Sequence, residues 1–220
     1  EGEPFTTLDE KERRLSDQML MICDGAKPVA VGGVMGGLNS EIEDATNRVL
    51  IESACFDPVS IRKTSKALGL NTDASHRFER GVDPDGTLFA LDRAAQLMAE
   101  LGSGRLVSGV IDEDFRSAEP LELSLSVAAT NDLLGTDLDR DAMAGLLESV
   151  AFQVRPDGDA LLHVRVPSFR VDVFRPQDLM EEVARLSGYN RIPVTFPQIP
   201  ARGASVTALR DHRNRVREIL

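Results

Sequence analysis

In the run V-D-V-F-R-P-Q-D-L-M-E-E-V-A-R, the residues Asp172, Asp178, Glu181 and Glu182 are the densest group whose types and spacing suit chemistry. On a helix starting near Pro176, positions 178, 181 and 182 stand at i, i+3 and i+4 and share one face near the helix start. Asp172 approaches from the preceding segment. Oxygen-only donors suit Mg2+ or Ca2+ rather than zinc. The same spacing has a second reading: acids in a first turn complement the helix dipole, with Glu181 and Glu182 pairing Arg185. Spacing alone favours this second reading.

Two further stretches have chemical interest. The glycine cluster G-G-V-M-G-G at 32–37 lets backbone approach a ligand, but no Lys-Ser/Thr follows as a phosphate-binding loop requires, and a tight turn is the favoured explanation. The stretch N-T-D-A-S-H-R-F-E-R-G-V-D-P at 71–84 alternates charges densely. Arg77, Glu79, Arg80 and Asp83 there suit a surface ion-pair lattice, and His76 a solvated imidazole. With histidine only at 76, 163 and 212, no metal–histidine site is expected. Cys23 and Cys55 lie far apart without a C-x-x-C, so they read as reduced, core-filling thiols.

The elements that must position these residues follow from periodicity. Segment 18–35 reads as strand, Asp24-Gly25 turn and strand. Residues 48–54, R-V-L-I-E-S-A, form an apolar strand with Glu52 set into it. A short basic helix starts at Ser60 as its cap and stops at Gly69. Over 83–102 a longer helix carries Leu88, Leu91, Ala94, Ala95, Met98 and Leu101 on one face. A strand is expected around 105–112, followed by an acidic linker to Pro120. Beyond it L-E-L-S-L-S alternates as a half-buried strand. Helices near 127–134 and 139–150 come next, then a hairpin turning at Asp157-Gly158. Pro176 opens a helix that Gly188 stops. Two helices followed by a hairpin make a winged-helix order, a shape often used on nucleic acid. Residues 193–203 are extended and proline-punctuated, and the last 17 residues form a basic amphipathic helix.

Composition narrows the function classes. The 220 residues are 42% hydrophobic and 28% charged, ordinary values for a folded chain. A net charge of −11 repels phosphate polyanions at long range, so any RNA contact must be local or helped by partners. Only the last 20 residues are net basic. No run approaches the roughly 18 apolar residues that cross a bilayer, and the start has neither the basic nor the apolar region of a secretory signal. A cytoplasmic location is expected. The absence of an initiator Met and the uncapped end R-E-I-L suggest a piece of something longer.

Taken in order, G-G-V-M-G-G, I-E-S-A-C-F-D-P-V-S-I-R-K-T-S, the stretch from Thr72 to Pro84, and E-E-V-A-R-L-S-G-Y-N-R-I-P closely resemble the beta subunit family of bacterial phenylalanyl-tRNA synthetase over essentially the whole chain. The resemblance implies an α+β fold in two domains: residues 1–117 as the C-terminal part of a tRNA-editing domain, and 120–196 as a small winged-helix-like domain. Residues 197–220 then enter a catalytic-core-like domain. It implies that Gly36, Glu52, Thr72 and Ala74 line an amino-acid pocket for hydrolysing tyrosine wrongly attached to the phenylalanine tRNA, with no catalytic side chain assigned. A carboxylate such as Glu52 accepts a hydrogen bond from a phenolic hydroxyl, whereas phenylalanine leaves it unpaired. The family's upstream editing histidine and arginine precede this chain, so it is expected to deacylate poorly and not to charge tRNA by itself. The resemblance also makes Asp172, Asp178, Glu181 and Glu182 ligands of a Mg2+ shared with the alpha subunit. The partners it implies are that subunit, in a heterotetramer of two alpha and two beta chains, and the phenylalanine tRNA. ATP is used by the whole enzyme and not bound here. The alternative is a scaffold without chemistry of its own.

Overall fold

A computed structural model describes residues 1–102, 104–116, 119–195 and 208–219. Strands β1 (Pro4–Thr6) and β2 (Glu12–Arg14) form an antiparallel pair. β3 (Met21–Cys23), β4 (Pro28–Val31) and β5 (Met35–Gly36) follow as a three-stranded antiparallel sheet. Asp24 closes the β3–β4 turn by accepting the backbone N–H groups of Ala26 and Lys27 at 2.9 and 3.0 Å. The glycine cluster makes the β4–β5 turn. Gly33 has φ +66°, and a Cβ there would lie 2.7 Å from Ile61 Cδ1 and 2.8 Å from Phe56 Cδ2. Only glycine meets both demands.

Helix α1 (Pro58–Leu68) starts earlier than the sequence suggests. Asp57 is its cap, accepting from Ser60 N–H at 2.7 Å, and Pro58 occupies the first turn, which displaces Ser60 from the capping role. Gly69 ends it in the left-handed region at φ 65°. The short α2 (Asp73–Phe78) was not expected. A reciprocal cap creates it: Thr72 Oγ1 accepts from Ser75 N–H while Ser75 Oγ accepts from Thr72 N–H. Phe5, Leu15, Val31, Val34, Ile61 and Leu70 form the core of this first unit.

Four expectations here differ from the structure. Residues 48–54 and 105–112 contain no strand. Several of their apolar side chains face solvent, Leu50 at 97% and Ile111 at 88% exposure, because apolar composition specifies a strand-competent segment but not the partner strand that would complete it. Helix α3 (Thr87–Gly102) forms, yet none of its residues is buried, so the expected apolar face packs against no core. Both cysteines are free but exposed, not core-filling.

The second unit is built as expected from local signals. Strand β6 (Glu122–Ser126) leads into α4 (Val127–Leu134) and α5 (Arg140–Glu148), then the hairpin β7 (Gln153–Asp157) and β8 (Leu161–Arg165). The sheet order is β6-β8-β7, all antiparallel. Ser126 and Asp139 cap α4 and α5. Helix α6 (Pro176–Ser187) lies over this layer and buries Leu179, Met180 and Val183 in one core with Leu125, Met143, Leu147, Phe152, Leu162 and Val164. After it, α7 (Ala208–Ile219) is basic and exposed throughout. The proline-punctuated stretch lies mostly outside the described residues.

Candidate functional site: an apolar cleft and an arginine-tied acidic corner

All four residues of the expected pocket reach one open cleft of about 620 Å³ in the first unit. Gly36 arrives from β5, Glu52 from the extended segment after it, and Thr72 and Ala74 from the start of α2. The walls are mainly apolar, with Leu8, Ile22, Val34, Met35, Phe56 and Phe78 among them. Phe56 and Phe78 pack edge to face, centroids 4.9 Å apart, and join the Glu52 segment to α2. One signal for this wall was missed: Phe78 is an apolar residue inside a run of charges six positions after the Thr72 cap. Ser53 and Asp73 also line the cleft and were not singled out.

Thr72 has a fixed part in this geometry. Its hydroxyl donates to the carbonyl of Val34 at 2.7 Å, so its one proton is used to hold α2 against the glycine turn. Gly36 leaves space that a side chain would fill, since a Cβ there would lie 3.1 Å from Leu8 Cδ1. Glu52 has no hydrogen-bond or ion-pair partner among the described residues, and partial burial raises its pKa. The cleft therefore offers an apolar slot with one uncommitted carboxylate. That combination suits a flat, apolar group ending in a hydrogen-bond donor.

The acidic set of the second unit is arranged differently from an ion site. Arg170 donates through Nε and Nη2 to both oxygens of Asp172, at 2.8 and 2.7 Å. Its Nη1 donates to Glu182 Oε2 at 2.7 Å, and Arg185 donates to both Glu182 oxygens. Glu182 is only 6% exposed, and these two guanidinium groups, Arg185 first, hold its pKa down at about 2. The Arg170 guanidinium also lies 5.2 Å from the Phe152 ring centroid. Asp178 accepts the N–H groups of Phe174 and Arg175, each at 2.9 Å, as a helix-start cap. Glu181 is exposed. Among the described residues no group of three or more acids, histidines or cysteines is placed to hold a metal ion. The donor chemistry suits magnesium, but the arrangement does not fit the ion, because Arg170 fills the approach to two of the four ligands. Of the charge lattice in the first unit, Arg80 pairs with Glu79 at 2.8 Å and Asp83 caps the turn before α3.

Comparison with known proteins defines first a class of chain, one that joins a B3/4 domain to a tRNA synthetase B5 domain. Residues 1–103 match the B3/4 domain and residues 123–189 the tRNA synthetase B5 domain. The chain is 48% identical over 223 residues to the phenylalanine–tRNA ligase beta subunit of Syntrophus aciditrophicus, covering 100% of this chain and 27% of that protein. It is 52% identical over 196 residues to the same subunit of Moorella thermoacetica, covering 89% and 24%. The chain belongs to the phenylalanine–tRNA ligase beta subunit family, and it spans about a quarter of the length of the curated relatives it matches. An N-terminal fragment of the phenylalanyl-tRNA synthetase beta subunit from Pyrococcus horikoshii aligns with a TM-score of 0.39 at 17% identity, over 86% of this chain and 54% of that one.

Proposed function

We propose that this chain is the part of a phenylalanine–tRNA ligase beta subunit that proofreads the amino acid attached to phenylalanine tRNA. The convergence of Gly36, Glu52, Thr72 and Ala74 on one apolar cleft carries this reading. Tyrosine differs from phenylalanine by one hydroxyl, and Glu52 is the uncommitted acceptor for it. Gly36 and Ala74 leave room for the ring, and Thr72 holds the wall. Residues 1–117 then act as the C-terminal part of the editing domain. Residues 120–196 act as a winged-helix-like module facing the alpha subunit, and 197–220 as the entry to a catalytic-core-like domain. Phenylalanine activation with ATP, the tRNA and the heterotetramer of two alpha and two beta chains belong to the whole enzyme in the cytoplasm. No helix among the described residues is long and apolar enough to cross a membrane.

The magnesium reading of Asp172, Asp178, Glu181 and Glu182 is kept as a property of the assembled enzyme, because the isolated corner is closed by arginines. The direct test of proofreading is deacylation of tyrosyl-tRNA for phenylalanine by the full-length subunit in complex with the alpha subunit. Glu52→Ala should raise the tyrosine retained on the tRNA while charging with phenylalanine stays unchanged. If proofreading survives the substitution intact, Glu52 has no part in it. A scaffold role alone would leave hydrolysis unaffected by every substitution in the cleft.

A further inference from the structure

We infer that Arg170 is the chain's own counter-ion at the acidic corner, and that its guanidinium and a divalent cation exclude one another there. This deepens the magnesium reading above and rests on it: it states why an ion would need the alpha subunit as well as these four acids.

The geometry is specific. Three of the Arg170 nitrogens are each directed at a carboxylate oxygen, two on Asp172 and one on Glu182, all at 2.7 to 2.8 Å. Its side chain is only 16% exposed, and the Glu182 side chain 8%. A cation bridging Asp172 and Glu182 must approach the same oxygens, and it cannot share them with a buried guanidinium without strong like-charge repulsion at contact distance. Arg185 supplies a second cation on Glu182 from the next turn of α6, so the carboxylate has two partners before any ion arrives. The corner is thus neutralised from within. Asp178 is independently committed to two backbone N–H groups, which leaves Glu181 as the one acid of the four without a bound partner among the described residues. Release of Arg170 requires another acceptor for its guanidinium, and a carboxylate or a carbonyl group on a docking subunit is the chemistry that offers one.

Mn2+ alone is the probe, read by the loss of its free-ion electron paramagnetic resonance signal. The wild-type chain should leave Mn2+ free up to about 1 mM, the weak end of protein sites for hard divalent ions. Arg170→Met should bind one Mn2+ per chain at least ten-fold more tightly, and Asp172→Asn added to it should remove that gain. Arg170→Lys, which keeps the charge but not the fork, serves if the Met variant loses its native circular dichroism; it should fall between the two. Equal Mn2+ binding by wild type and the Arg170 variant, whether both bind or neither does, overturns the exclusion. The same titration on the wild-type subunit assembled with the alpha subunit tests the underlying reading separately, for a complex that takes up no Mn2+ has no shared ion at this corner.

Discussion

Acid should weaken the second unit through Glu182 more than through any exposed carboxylate. Two arginines hold its pKa at about 2, against 4.5 for an unperturbed glutamate. A carboxylate with a depressed folded pKa contributes stability that is complete above the unfolded value and is lost as pH falls toward the folded one. The full contribution corresponds to about 3 kcal/mol, of which about 2 kcal/mol should be gone at roughly pH 3. Because Glu182 is nearly inaccessible, solvent screening reduces this little. Glu182→Gln removes the titration. At neutral pH it should cost about 3 kcal/mol, since Arg170 and Arg185 are left facing an uncharged amide. The assay is urea unfolding at several pH values followed by tyrosine fluorescence. Tyr189 is the single tyrosine, there is no tryptophan, and the residue sits in the turn after α6, so the signal reports the second unit. Asp172 and Asp178, also depressed, titrate in both proteins, and only the difference between the two curves isolates Glu182. Parallel curves for wild type and Glu182→Gln from pH 6 to 3 would show that the arginine cage does not hold the carboxylate charged, and the argument would fail.

Three further outcomes follow from the same geometry. Gly33→Ala should destabilise the first unit by about 2–4 kcal/mol in thermal or urea unfolding, because the positive φ and the approach of Ile61 and Phe56 act together; a loss under 1 kcal/mol would contradict the turn described. Ala151 has φ 69°, a left-handed position after α5, so Ala151→Gly should stabilise by roughly 0.5–1 kcal/mol, and a destabilised variant would count against that backbone. Glu52 carries a raised pKa from burial, so its ionised form disfavours the folded state at neutral pH and that cost is relieved as pH falls through the raised value. Glu52→Gln should therefore leave stability at pH 7 equal or slightly improved while proofreading of tyrosine declines, and a clear loss of stability would mean that the carboxylate has a structural partner.

How much of this was legible in the sequence depended on whether a signal was local. Caps and turns are local: Asp139, Gly69 and the Asp157-Gly158 turn each act within a few residues, and the second unit follows its pattern element by element. Pairing is not local. Residues 48–54 and 105–112 have strand composition, yet what they lack is a neighbouring strand, and composition does not encode one. The same distinction separates the two candidate sites. The cleft residues were gathered from a resemblance, and their meeting rests on a long-range bond across 38 positions, Thr72 to the Val34 carbonyl, that no spacing rule contains. For the acids the i, i+3, i+4 rule placed 178, 181 and 182 on one helix face, but the decisive group was a cation twelve residues away. The pairing of Glu182 with Arg185 was legible as an i+3 contact. Arg170 was not, because its reach to Glu182 depends on the turn at 167–170 and on Phe152 beneath its guanidinium. Acidic residues in a sequence mark where charge will concentrate; whether that charge waits for an ion or is already answered is settled by the basic side chains that folding brings to it, and here folding brings two.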